Sequence, residues 1–227
     1  METNEVLIPN GYKFFEVEDN PMLGSNNKKE EFAVKNRSFS DVDRYFSGGI
    51  SREIKKLLGE SPNEQIRVLD LAGGTESQAV RDIEKEFGNS VKALNIDFAQ
   101  DIEKGKGADR VQGDATHIPL ADASIQLVYC RQLLPFMKRF NSEHVSQVNK
   151  VLSEVARVLK PGGIAFLDDE EELSGPKSDN KRQELADKLG VILESYDSVS
   201  LRKGDRNFPK FWDRGIRPAK FLVMKKL

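Results

Sequence analysis

Val68-Leu69-Asp70-Leu71-Ala72-Gly73-Gly74-Thr75 is the stretch on which the reading of this chain turns. It belongs to a short apolar run over residues 66–72, the composition of a strand buried on both faces. Its two adjacent glycines let backbone approach a ligand with no Cβ in the way. Thr75-Glu76-Ser77-Gln78 then has the spacing of a capping box, with Thr at the cap and Gln three positions on. Ala79, Val80, Ile83 and Phe87 continue as a helical stripe that ends at Gly88. A strand, a glycine turn and a helix in that order open a parallel α/β sheet.

Outward from this unit the rhythm repeats. Further strands are expected at 91–96, 110–112 and 125–130, then a long amphipathic helix over 142–159 with Val145, Val148, Leu152, Val155 and Leu159 on one side. Pro161-Gly162-Gly163 stops that helix, and a fifth strand covers 164–167. A helix at 179–189 leads to two last strands, 191–201 and 220–224. No helix separates these two, so they should form an antiparallel hairpin at the sheet edge. On the N-terminal side, 41–46 can form a helical turn, and Ser51 can cap a helix carrying Ile54, Leu57 and Leu58 and closed by Gly59. Residues 1–37 read as a polar extension with strand-like patches at 6–8 and 12–17, and 38–227 as the folded domain. Right-handed crossovers make the fold class α/β, a doubly wound and mostly parallel sheet.

Composition narrows the classes. The 227 residues suffice for one α/β domain with a short extension. With 32% charged and 38% hydrophobic residues, the chain is neither disordered nor membrane-embedded, and it contains no apolar run long enough to span a bilayer. Met1-Glu2-Thr3-Asn4-Glu5 is acidic and has no apolar core, so no signal peptide is expected. A single cysteine, Cys130, forbids an internal disulfide and points to a reducing, cytoplasmic location. Two histidines and one cysteine cannot build a His/Cys zinc site, and no metal site is expected. The net charge of −2 gives no general basicity to argue for nucleic acid. Residues 202–227 nevertheless hold nine Lys/Arg against two Asp, interleaved with Phe208, Phe211 and Trp212. Such a stretch either binds nucleic acid or packs as an edge loop on the sheet; the overall charge favours packing.

In open parallel sheets, ligands sit beyond the carboxyl ends of the strands, where strand order reverses. The loop after the first strand is Asp70 to Thr75, and the next helix offers free N–H groups. After the second strand comes Asp97, a carboxylate able to accept from both ribose hydroxyls; after the third comes Gly113-Asp114-Ala115, an acid able to accept from an exocyclic amine. Three acids along one edge suit a cationic, adenosine-bearing ligand better than a polyphosphate. Plain structural readings stand beside these: a strand-to-helix turn for Gly73-Gly74, a solvated loop acid for Asp97, a turn cap for Asp114. Asp168-Asp169-Glu170-Glu171-Glu172 reads as a solvated acidic loop, and His117 and His144 as local hydrogen-bonding residues.

These motifs, with Asn95-Ile96-Asp97 and Arg157-Val158-Leu159-Lys160-Pro161-Gly162-Gly163, resemble those of class I S-adenosylmethionine-dependent methyltransferases, over about residues 40–170. The nearest branch is the small-molecule type that includes the ubiquinone/menaquinone biosynthesis enzymes. The resemblance implies a Rossmann-like sheet of seven strands, S-adenosylmethionine as cofactor and a small-molecule acceptor. It implies that Asp70, Ala72, Gly73, Gly74 and Thr75 hold the methionine part, Asp97 the ribose, and Asp114 with Ala115 the adenine, with Phe98 also against the cofactor. Cys130 and Arg131 would line the methyl-donor side. No catalytic residue is assigned; Tyr45 and Arg131 are the candidates for substrate contact. Glu76 stands where the family has a glycine, and the Tyr-Asp…His…Trp pattern of the quinone enzymes is absent from 38–58. The rival reading is a non-catalytic nucleoside- or partner-binding protein on the same fold. A dinucleotide oxidoreductase would need Gly-x-Gly-x-x-Gly, and the chain has Ala72-Gly73-Gly74-Thr75-Glu76-Ser77 instead.

Overall fold

A computed structural model of the chain describes residues 6–7, 13–14, 37–74, 77–98, 109–131, 133–134, 144–168, 173, 178–197 and 220–227. Residues 1–35 and 36–227 form separate units. In the first, β1 (Val6–Leu7) and β2 (Lys13–Phe14) pair antiparallel, with Val6 opposite Phe14.

The second unit is built on a sheet of seven strands: β3 (Ile66–Leu71), β4 (Val91–Asp97), β5 (Asp109–Gln112), β6 (Ile125–Cys130), β7 (Leu159–Asp168), β8 (Val191–Asp197) and β9 (Lys220–Lys226). Their spatial order is β5-β4-β3-β6-β7-β9-β8. The ladders from β5 to β7 are parallel and both ladders of β9 are antiparallel. The sheet is therefore doubly wound, as expected, with one refinement: the reversed strand β9 lies inside, between β7 and β8. Strand order reverses between β3 and β6, which puts the residues following these two strands side by side.

Strand parity sorts the core into two layers. Leu69, Leu71, Val128, Cys130, Ala165 and Leu167 join one layer, packed with Val148, Val151, Leu152 and Val155 of helix α4 (His144–Val158) and Ala186 of helix α5 (Asp179–Leu189). Val68, Leu127, Tyr129 and Phe166 join the other. That layer is covered by α1 (Phe39–Tyr45), α2 (Gly49–Glu60) and α3 (Gln78–Phe87) through Phe39, Val42, Phe46, Ile50, Ile54, Val80 and Ile83. Burying one such Ile or Phe contributes about 1.5–3 kcal/mol. Phe46 sits at the centre of an aromatic group, with ring centroids 4.9 Å from Tyr45, 5.4 Å from Phe221 and 5.9 Å from Phe166. Gly49 begins α2 against Phe166, where a Cβ would come within 2.6 Å of the ring; only glycine lets the helix approach this closely.

Several local expectations are corrected. The cap of α3 is Ser77 and not Thr75; Ser77 has a left-handed backbone (φ 50°), and its hydroxyl accepts from the Asn95 amide instead of capping. Thr75 and Glu76 lie outside the described residues. The cap of α2 is Gly48, because Ser51 is drawn into the preceding turn, where its N–H and hydroxyl both donate to Asp43. Gly59 lies inside α2, which runs one residue further. Helix α4 ends at Val158, since Leu159 already pairs with Ile125 in the sheet, and Pro161-Gly162-Gly163 belongs to an irregular part of β7 with Gly162 at φ 78°. Val145 is exposed rather than part of the α4 stripe.

Candidate active site

The site begins with how the turn after β3 is held. Ala72 continues the ladder by one bond, its N–H donating to the Ile96 carbonyl at 2.7 Å. It then turns the chain with φ 66°, a left-handed conformation that costs an alanine about 1–2 kcal/mol. The strain is held by Asn95, a wholly buried side chain at the far end of β4. Its Oδ1 accepts from the Gly73 N–H at 3.1 Å, and its Nδ2 donates to the Gly74 carbonyl and to the Ser77 hydroxyl, both at 2.6 Å. Asp97 Oδ2 accepts from the Gly74 N–H at 2.8 Å. A Cβ on Gly73 would fall 2.3 Å from Asp70 Oδ2 and 2.7 Å from Asn95 Oδ1, so no side chain fits there.

Asp70 is the last but one residue of β3 and is 4% exposed. Its register partner on β6 is Tyr129, whose hydroxyl is directed at the carboxyl but falls short of a full hydrogen bond. Burial pushes the Asp70 pKa up to about 7, against the opposing effects of Tyr129 and the Arg37 charge. The Cys130 thiol, fully buried, is pushed well above its usual value by burial and by the charges of Asp168 and Asp70. It is therefore a protonated core residue and no nucleophile at neutral pH.

The opposite wall comes from the start of α1 and the end of β6. Ser38 caps α1, accepting from the Asp41 N–H, and Phe39 N–H donates to Asp82 of α3 at 3.0 Å, which fixes the helix against α3. Arg37, just ahead of the cap, is thereby delivered into the cleft, and its Nη1 donates to the Arg131 carbonyl at 3.0 Å. Arg131 lays its guanidinium 3.8 Å over the ring of Tyr45, whose hydroxyl donates to the Lys220 carbonyl at 3.1 Å. Burial lowers the pKa of both arginines, with their mutual repulsion adding to the effect on Arg131. Arg37 and Arg131 line, together with Asp70, Ala72 and Gly73, a narrow cleft that is partly open to solvent.

The structure thus brings Asp70, Ala72, Gly73, Gly74, Asp97, Tyr45 and Arg131 to one end of the sheet. Cys130 adjoins them from within the core. Phe98 follows Asp97, and its carbonyl accepts from Gln112 Nε2 at 3.3 Å. Asp114 and Ala115 follow β5 further along the same edge. There Asp114 Oδ1 accepts from both the N–H and the hydroxyl of Thr116, a turn of the kind the residue type favours. His117 is exposed beside it, and His144 begins α4. Asp168, read from the sequence as the start of a solvated acidic loop, is instead the buried last residue of β7, 2% exposed, because its strand pairs with β9 there. The side chain of His144, Asp169 to Glu172 and the basic stretch with Phe208, Phe211 and Trp212 lie outside the described residues. Sequence reading missed two residues with local roles, Asn95 and Arg37. Asn95 had a signal, an amide two positions before the strand-end acid; Arg37 had none. Among the described residues no group of three or more His, Cys, Asp or Glu could hold a metal ion, and no helix is long and apolar enough to cross a membrane.

Fold and site together define a doubly wound α/β protein with a cleft at the β3/β6 reversal. Comparisons with known proteins narrow this. Residues 69–167 match the family described as "Methyltransferase domain". The likeness to class I S-adenosylmethionine-dependent methyltransferases read from the sequence holds over this segment. Members of the family use S-adenosylmethionine. The ubiquinone/menaquinone biosynthesis C-methyltransferase UbiE of Paracoccus denitrificans is 31% identical over 52% of this chain and 48% of its own length. The sterol 24-C-methyltransferase ERG6B of Gibberella zeae is 34% identical over 44% of this chain and 26% of its own. A chain from the complex between the Haloferax volcanii Trm112 methyltransferase activator and a methyltransferase aligns at 17% identity with a TM-score of 0.49, covering 85% of this chain and 98% of that one. The chain spans about half the length of the first curated relatives it matches.

Proposed function

We propose that this protein is an S-adenosylmethionine-dependent methyltransferase that acts on a small-molecule acceptor in the cytoplasm. The observation that carries the reading is the turn Ala72 to Gly74, held open by Asn95 and Asp97 at the point where strand order reverses. The donor set fits the cofactor. Gly73 and Gly74 keep side chains out of the methionine position. The Asp97 carboxylate, which accepts from the Gly74 N–H, is an acceptor of the kind that ribose hydroxyls would donate to. Asp114 and Ala115 would meet the adenine, with Phe98 flanking it. When bound, the cofactor supplies a methyl group on a sulfonium, open to in-line displacement by a nucleophile. The work of the chain is then to hold that nucleophile in line and keep water out, and orientation of this kind supplies about 7–11 kcal/mol of a barrier. No dedicated base is required if the acceptor is already unprotonated or acidic. Tyr45 and Arg131, opposite the glycine turn, are the residues assigned to the acceptor.

Isothermal titration with S-adenosylhomocysteine tests the reading directly. Micromolar binding is expected, and lack of binding to the folded protein would leave the rival, a partner-binding protein on this fold.

A further inference from the structure

We propose that the acceptor group held by this site is an anion, a carboxylate or similar planar oxyanion, paired to Arg131. The inference rests on the methyltransferase reading and names the substrate class for the same cleft. Arg131 is partly buried, and among the described residues its guanidinium makes no hydrogen bond and has no carboxylate within 4 Å. The guanidinium lies over the face of the Tyr45 ring, 3.8 Å from its centroid. A guanidinium stacked by its face keeps its N–H edge available, and that edge matches a carboxylate with two parallel bonds. The stack itself is rigid, because Tyr45 is buried in the aromatic group around Phe46 and tied by its hydroxyl to β9.

Charge makes the same point. Arg37 lies beside Arg131, bonded to its carbonyl, and the acids Asp168, Asp70 and Asp97 act on it, whereas it repels Arg131. The acids whose fields reach Arg131 are Asp168 and Asp41, and neither pairs with it directly. Asp41 is engaged by Ser38 and Arg44 on α1. A sulfonium cofactor brings a further positive centre to this end of the sheet. An anionic acceptor offsets the repulsion, stays unprotonated without a base, and is drawn towards the methyl donor. A neutral acceptor leaves the guanidinium edge desolvated with nothing to bond, a cost comparable to a lost charged hydrogen bond.

The test uses benzoate as probe and benzamide as its neutral isostere. Each is titrated into the full chain with and without saturating S-adenosylhomocysteine, with binding followed by calorimetry or NMR shifts. Benzoate is expected to bind at least about tenfold more tightly than benzamide, and R131Q to abolish that preference, as for the loss of a charge-assisted bond. R131K, which keeps the charge without the fork, should retain part of it. The loss in R131Q should be greater for benzoate than for S-adenosylhomocysteine. Equal affinity for the two probes, or a preference unchanged in both variants, overturns the proposal. So does a result in which R131Q weakens S-adenosylhomocysteine alone, which would make Arg131 a cofactor residue. Failure of S-adenosylhomocysteine to bind the wild type sinks the methyltransferase reading instead, and the titrations without it still decide whether the cleft selects an anion.

Discussion

The two walls of the cleft satisfy their polar groups in opposite ways. The wall formed after β3 and β4 closes on itself: Asn95 makes three hydrogen bonds, Asp97 and Ile96 each accept one, and even the strained Ala72 is bonded. The wall formed by Arg37, Tyr45 and Arg131 holds two partly buried cations, with Arg37 bonded to the Arg131 carbonyl and the Arg131 guanidinium over the Tyr45 ring. A wall saturated from within has its shape before a ligand arrives, so little is lost to ordering on binding. On the proposed reading the first wall is the cofactor side, and the second selects its acceptor by charge through the Arg131 edge.

The largest expected effect concerns Asp70, which lies between the walls. Its folded pKa of about 7 exceeds that of an unfolded aspartate, about 3.9, so the native state holds a proton that the unfolded chain has released. Stability should therefore fall as pH rises from about 4 to 7 and level off above, by about 4 kcal/mol in all. Urea denaturation across this range should show the fall in the wild type and a flatter profile in Asp70→Asn. A parallel profile in the variant would place the titration elsewhere.

Next comes the self-bonded wall. Asn95→Ala removes three hydrogen bonds and leaves the Gly73 N–H and the Gly74 carbonyl without them, which should cost about 2–4 kcal/mol of stability. If the denaturation midpoint hardly moves, the wall is not preorganised by Asn95 and the contrast with the cationic wall weakens.

Asp97→Ala should weaken S-adenosylhomocysteine binding by about 1.5–3 kcal/mol, the range for hydrogen bonds to a charged group. Unchanged affinity in a folded variant would restrict Asp97 to its bond with Gly74. The smallest effect belongs to the other wall: Tyr45→Phe loses the hydroxyl bond to Lys220 but keeps a ring under Arg131, at about 1 kcal/mol in stability. Thermal denaturation checks this; no measurable loss would show that packing around Phe46 alone fixes the ring.

Much of this arrangement was legible in the chain, and the reasons it was or was not are local. Residues 66–71 and Ile125–Cys130 could be read as strands because their apolar runs are buried on both faces and bounded by turn residues. The fixed wall was legible for the same reason, since Gly73, Gly74 and Asp97 lie at strand ends where few residue types fit. Helix boundaries fared worse. Ser51 and Thr75 look like caps, yet Asp43 claims one, and the chain turns at Ser77 beyond the other. Leu159 fits a helical stripe by period, but a ladder partner at Ile125 decides its backbone.

By itself, then, the sequence determined the strand-turn-helix rhythm, the ladder of acids after successive strands and the class of ligand they suit, because each rests on neighbours a few residues apart. Only the tertiary structure decided that β9 enters between β7 and β8, that Asp70 stands opposite Tyr129, and that Arg37 reaches Arg131 from a position 94 residues earlier. Those contacts depend on which strands lie side by side and on how α1 is bonded to α3. They also set the charge of the wall formed by Arg37, Tyr45 and Arg131, which no single stretch of the chain carries.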